Sequence, residues 1–243
     1  MGSPSPSRAS PSSPREPSLN STAARPDVST RRLVVMDVDS TLITQEVIEL
    51  LADHAGTREL VTEVTERAMR GEIDFGESLR ERVATLAGVP VSAFEDVLER
   101  VTLTPGAREL ITELQGRGWT VALVSGGFEE IVAPLAESLG ITHFRANRLE
   151  VVDGRLTGRT TGPVIDRATK EVTLRELAAA QGVDMAHTVA IGDGANDLDM
   201  IGAAGIGIAF AAKPVVVAQA PHSVPGPRLD AVLEIIDAPG RTA

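Results

Sequence analysis

Apolar residues fall into strand-like runs and helical repeats from Leu33 onward, and into neither before it. Leu33-Val34-Val35-Met36 is an unbroken apolar run, as a central strand covered on both faces requires. It stops abruptly at Asp37-Val38-Asp39-Ser40-Thr41. A 3.6-residue period then takes over in VIELLADHAG, where Gly56 is placed to end a helix. The helical pattern persists to about Arg100, through RELVTEVTERAMRGEIDF, FGESLRERVATLAG and VSAFEDVLERV.

Beyond Pro105-Gly106 the rhythm changes. A helix (ARELITELQGRG) leads to a strand (WTVALVSGG) and a second helix (EEIVAPLAESLG). Two short strands are expected about Asp153-Gly154, followed by a helix (ATKEVTLRELAAAQG) and a strand (HTVAIGDG). Helix ANDLDMIGAAG, strand IGIAF and helix LDAVLEIID complete the series. Strands alternating with helices predict an α/β fold with a Rossmann-like, doubly wound parallel sheet. The expected division is a core of residues 31–45 and 101–243, interrupted by a small helical insert at 46–100. Residues 1–30 are Ser/Pro-rich without apolar periodicity, so they cannot bury enough surface to offset ordering entropy and are expected to be disordered.

Composition narrows the function classes. The formal net charge of −11 disfavours nucleic-acid and anionic-membrane partners, which call for Lys/Arg stripes. It does not exclude a phosphorylated small molecule, because a cation can be placed locally. With no cysteine, disulfides, thiolate catalysis and cysteine metal sites are excluded. No apolar run reaches membrane-spanning length, so a cytoplasmic protein is expected, as monomer or homodimer.

The chemistry gathers where strands end. Asp37 and Asp39 follow the first strand, Ser125-Gly126-Gly127 follow VALV, and Asp193, Asn196 and Asp197 follow TVAI. Lys170 lies in the helix before that third strand. In an open α/β sheet these positions share one edge. Phosphoryl transfer needs a nucleophile, positive charge, donors for phosphate oxygens and a proton donor for the leaving alcohol. Asp37 suits the nucleophile, which would form an acyl phosphate, and Asp39 the general acid and then base. Asp37 and Asp193 suit a shared oxygen-ligated Mg²⁺, with Asp197 supporting that shell. Ser125 with the Gly126 and Gly127 amides offers donors, and Lys170 the fixed charge. Taken singly, each is weak: a DxD is a common turn, Lys170 an ordinary solvated lysine, Asn196 a helix N-cap.

Together the segments resemble the haloacid dehalogenase superfamily of phosphohydrolases: DVDST matches its first motif, LVSGG its second, Lys170 its third and GDGAND its fourth. The resemblance implies a core of that type, Mg²⁺ and the Asp39 carbonyl as a further metal ligand. A closer resemblance is to the phosphoserine phosphatase family, through MDVDSTLITQEVIELLA, AMRGEIDFGESLRERVATLAG, LVSGGF and AIGDGANDLDMI. It implies that residues 46–100 are a cap, that Glu46 takes the substrate ammonium and that Arg82 takes its carboxylate. Met69 and Phe75 would close over the substrate, while Ser125, Gly126, Lys170 and Asn196 contact phosphate and substrate. Without the resemblance, Glu46 reads equally as a first-turn helix glutamate, Arg82 as a surface partner of Glu77 or Glu81, and Met69 and Phe75 as packing residues. The implied reaction is hydrolysis of O-phospho-L-serine, the last step of serine biosynthesis. The alternatives are another small phosphate ester, or phosphoryl transfer from phosphoserine to homoserine. Many family members carry a regulatory domain before the catalytic one, and residues 1–30 hold no counterpart, so such feedback is not expected.

Overall fold

The computed structural model describes residues 1–2, 32–69 and 72–238, so the expected disorder of the N-terminal segment falls, from residue 3 on, outside the described residues. The strands are β1 (Leu33–Met36), β2 (Thr120–Phe128), β3 (His143–Val152), β4 (Arg155–Thr161), β5 (Thr188–Gly192), β6 (Ile206–Phe210) and β7 (His222–Val224). They form one sheet in the order β4-β3-β2-β1-β5-β6-β7. Pairing is parallel throughout except at the β3–β4 edge. There Asp153 and Gly154, at φ of 50° and 72°, make the two-residue reversal that only left-handed residues permit. The doubly wound parallel sheet is as expected, with the hairpin expected about Asp153-Gly154 at one edge, and its two strands, expected to be short, are ten and seven residues long.

Side-chain alternation sorts β1 between two cores. Val34 and Met36 join the larger apolar cluster, with Val121 and Leu123 of β2 and Val189 and Ile191 of β5. Leu33 and Val35 join the other, with Ala122, Val124 and Ala190. All four β1 residues are fully buried, which explains the unbroken apolar run.

Four helices lie between β1 and β2 before the core resumes: α1 (Val47–Ala55), α2 (Arg58–Met69), α3 (Phe75–Ala84) and α4 (Ala93–Arg100). Gly56 ends α1 at φ 66°, as its position predicted. The segments entering and leaving these helices pair side by side, with Thr44 N donating to Thr102 O at 3.0 Å and Thr104 N to Leu42 O at 2.9 Å. A second seam joins the insert to the hairpin, where Gly88 N donates to Leu156 O at 2.8 Å and Leu156 N to Val89 O at 2.9 Å. The remaining helices are α5 (Ala107–Gly116), α6 (Glu129–Ser138), α7 (Arg167–Gln181), α8 (Leu198–Ala203), α9 (Pro214–Val217) and α10 (Val232–Ile236). Short α9 and β7 were absent from the pattern reading, since their lengths of four and three residues are too short to show a period. No helix among the described residues is long and apolar enough to cross a membrane.

Candidate active site

The pleat of β1 decides where its last residue looks. Asp37 continues the face of Leu33 and Val35, the face covered by Leu174 and Ala178 of α7. Lys170 sits one turn before Leu174 on that helix, so it meets the Asp37 carboxylate. Its Nζ lies 2.8 Å from Asp37 Oδ1 and 2.6 Å from Asp197 Oδ1. Lys170 and Asp197 are fully buried and Asp37 is 5% exposed. A lysine closed to water persists as a cation only when paired. Burial works against its charge, but Asp197 and Asp37 outweigh burial and hold its pKa above the ordinary lysine value.

The three strand ends converge on this pair. Asp37 N donates to Ile191 O at 2.9 Å, which ties the end of β1 to β5. Asp197 closes a single 3₁₀ turn at Ala195–Asp197, not the first turn of a regular helix, and accepts from Gly194 N at 2.9 Å. Asp193 accepts from Thr41 Oγ1 at 3.0 Å. Carboxylate oxygens of Asp37, Asp193 and Asp197 lie within 4.8 Å of one another. One ammonium among three carboxylates leaves excess negative charge. Burial, and next the Asp197 charge, push Asp37 well above the usual carboxylate range against the opposing Lys170. The same two causes push Asp193 up to about 7. A cluster of hard oxygen donors with unbalanced negative charge fits a divalent cation such as Mg²⁺.

Asp39 lies in the tight turn Val38–Leu42 that follows β1, where a plain loop was expected. Its Oδ1 is buried without a hydrogen-bond partner. Burial, then the charges of Glu46 and Asp37, raise its pKa well above the ordinary value. A carboxyl whose charged form is disfavoured in this way is suited to donating a proton. Its side-chain oxygens are not part of the three-carboxylate cluster.

Ser125, Gly126 and Gly127 occupy the stretch where β2 leaves the register of β3, between Val124 and Phe128. Gly127 N donates to Ser125 Oγ at 2.8 Å, so this amide orients the hydroxyl instead of serving as the free donor expected of it. A Cβ at Gly127 would stand 2.8 Å from Asp39 Oδ2, and one at Gly126 would stand 3.1 Å from Phe75 Cζ and 3.8 Å from Asn196 Nδ2. Phe75 of α3 and Asn196 therefore both close on the Gly126 backbone. Asn147 was missed: it is 1% exposed, donates to Gly126 O at 2.8 Å and accepts from Ile165 N at 2.9 Å. Lone asparagines in strands carry no sequence signal that would have singled it out.

From the insert, Glu46 accepts from Ser40 Oγ at 2.6 Å. Arg82 is partly buried, and burial lowers its pKa against the charges of Glu46, Asp39 and Glu49, which places it near all three. Among the described residues no ion pair joins Arg82 to Glu77 or Glu81, and Glu81 pairs with Arg67 at 2.7 Å. Met69 ends α2, but its side chain lies outside the described residues.

Residues 34–201 match the family described as haloacid dehalogenase-like hydrolase. The chain belongs to this family. Among curated relatives it is 53% identical over 209 residues to phosphoserine phosphatase of Streptococcus thermophilus, covering 86% of this chain and 97% of that protein. It is 58% identical over 206 residues to phosphoserine phosphatase of Streptomyces coelicolor, covering 85% of this chain but 50% of that one. A solved structure described as a phospho-aspartyl intermediate analogue of phosphoserine phosphatase is 41% identical, with a TM-score of 0.80 over 85% of this chain and 99% of its own. Asp37, Ser125 and Asp193 stand at strand ends of this core, and Lys170 reaches Asp37 from α7.

Proposed function

We propose that this protein is a Mg²⁺-dependent phosphoserine phosphatase that hydrolyses O-phospho-L-serine through a phosphoryl group carried on Asp37. The observation that carries the reading is the Asp37–Lys170–Asp197 ion-pair cluster at the strand ends, flanked by Glu46 and Arg82. Asp37, Asp193 and the Asp39 carbonyl would hold the cation, with Asp197 fixing Lys170 and the Gly194 backbone beside them. When bound, the cation offsets negative charge between the carboxylates and the phosphate.

Asp37 is the nucleophile, and Lys170 keeps its carboxylate aimed and partly neutralised. Ser125, its Oγ already accepting from Gly127, has its proton left to donate to a phosphate oxygen. The Gly126 amide and Asn196 complete the oxygen contacts. Asp39 protonates the serine oxygen as the P–O bond breaks, then takes a proton from the water that hydrolyses phospho-Asp37. Glu46 receives the ammonium and Arg82 the carboxylate, since a guanidinium fork matches a carboxylate in two hydrogen bonds. Residues 46–100 act as a cap over this zwitterion, with Phe75 and Met69 as its apolar lining, and exclude bulk water during transfer. The reaction ends serine biosynthesis, in the cytoplasm.

The direct test is phosphate release from O-phospho-L-serine and a panel of small phosphate esters, with and without Mg²⁺. Selective, metal-dependent release from phosphoserine is expected. Metal-dependent release from the panel but not from phosphoserine would leave the phosphatase chemistry standing and remove the substrate.

A further inference from the structure

Of the run Asp37-Val38-Asp39-Ser40-Thr41, Asp37 and Asp39 serve the reaction, Val38 is buried in the core, and Thr41 holds Asp193. Ser40 has no part in that scheme, yet it has the most unusual backbone of the five. Its φ of 55° and ψ of 4° lie in the left-handed region, which a residue with a Cβ seldom adopts. Glycine would take this conformation without steric cost, so what serine adds at the position is its hydroxyl.

That hydroxyl is engaged. Ser40 N donates to Gln45 O at 3.3 Å, which folds the turn back on the start of the insert. Ser40 Oγ then donates to Glu46 Oε1 at 2.6 Å, within the short range of charge-assisted O–H···O⁻ bonds. The Glu46 charge acts unfavourably on both Asp39 and Asp193, which places this carboxylate among the acidic groups of the site, where the Ser40 bond sets its direction. Arg82 draws it inward, but Arg82 is itself required by a substrate carboxylate.

We propose that Ser40 is a specificity-determining positioning residue: its hydroxyl fixes the Glu46 carboxylate through Oε1 and leaves Oε2 aimed at the ammonium of an amino-acid phosphate. This rests on the reading of Glu46 and Arg82 as a zwitterion pocket. It also links recognition to catalysis through one turn. Asp39, the proton donor, and Ser40, the tether of the ammonium ligand, are adjacent, so the leaving oxygen and the amino group are located by the same rigid segment.

The test compares Ser40→Ala, Ser40→Gly, Glu46→Gln and the Ser40→Ala/Glu46→Gln double variant. The readout is kcat/KM for O-phospho-L-serine divided by that for p-nitrophenyl phosphate, which lacks an ammonium. Loss of one hydrogen bond to a charged group predicts about a tenfold fall in this ratio. The fall should arise from KM for phosphoserine, appear equally in Ser40→Ala and Ser40→Gly, and add nothing to Glu46→Gln. If Ser40→Gly keeps the ratio while Ser40→Ala loses it, the backbone and not the hydroxyl matters, and the proposal is wrong. It is equally wrong if both keep the ratio while Glu46→Gln loses it, an outcome that leaves the zwitterion pocket intact. A Glu46→Gln enzyme with undiminished selectivity would remove the pocket itself, and Ser40's role with it.

Discussion

The Lys170 ammonium lies 2.8 Å from Asp37 Oδ1, and it holds that position because Asp197 Oδ1 accepts from it at 2.6 Å on the other side. All three groups are shut off from water. Removing the cation leaves buried carboxylates uncompensated, whereas shortening it leaves the charge but not the geometry. Lys170→Met is therefore expected to abolish turnover and to destabilise the metal-free fold by about 3–5 kcal/mol. Urea unfolding with and without Mg²⁺ checks this: the added cation should recover part of the loss. A metal-free variant as stable as the parent would contradict the pairing.

Asp37→Asn should behave in the opposite way toward stability. It removes a carboxylate that burial and Asp197 already disfavour in its charged form, so no stability is lost at pH 8. Turnover should stop, because an amide oxygen does not form the acyl phosphate. A stable, folded variant with near-parental turnover would refute the nucleophile.

The raised value of Asp193 makes metal binding pH-dependent. At pH below about 7 the metal-free site holds a proton that a cation must displace. Mg²⁺ affinity is expected to rise with pH through that point, by up to about tenfold per pH unit for the Asp193 proton. The sign for stability follows from the same shift. The folded value lies above the ordinary 3.8, so the metal-free fold holds protons that the unfolded chain has lost, and stability falls as pH rises from about 4 through about 7. Calorimetry in buffers of different ionisation enthalpy reads the released proton, and a pH-independent Mg²⁺ affinity would contradict the assignment.

Gly127 tests the general acid through space. A methyl group there would sit 2.8 Å from Asp39 Oδ2 and 3.0 Å from Ser125 Oγ. Gly127→Ala should displace both reacting groups and lower kcat by about a hundredfold while the far-ultraviolet circular dichroism stays parental. Parental kcat would mean that neither group needs its observed position.

What the sequence made legible was the convergence. An apolar strand that ends in Asp37, another that ends before Ser125 and a third before Asp193 can meet at only one edge of a parallel sheet, and they do. Lys170 was placed by motif order, and its cause emerged only with the pleat of β1 and the facing stripe of α7. The contacts of Ser40, Thr41 and Asn147 were not legible, because each depends on tertiary geometry: a left-handed turn, a partner 152 residues away and a strand register shift. The Gly127 amide was assigned to the substrate, and a neighbouring hydroxyl, which sequence spacing does not orient, claims it instead.

The account stands or falls on Asp37 carrying the phosphoryl group of phosphoserine. The most direct measurement is a rapid acid quench of the enzyme turning over O-phospho-L-serine with Mg²⁺, followed by peptide mass spectrometry. One added phosphoryl group is expected on the peptide spanning Leu33 to Leu42, assigned to Asp37 and lost in the Asp37→Asn variant. A phosphoryl group on another residue, or an unmodified enzyme under conditions of rapid phosphate release, would contradict it.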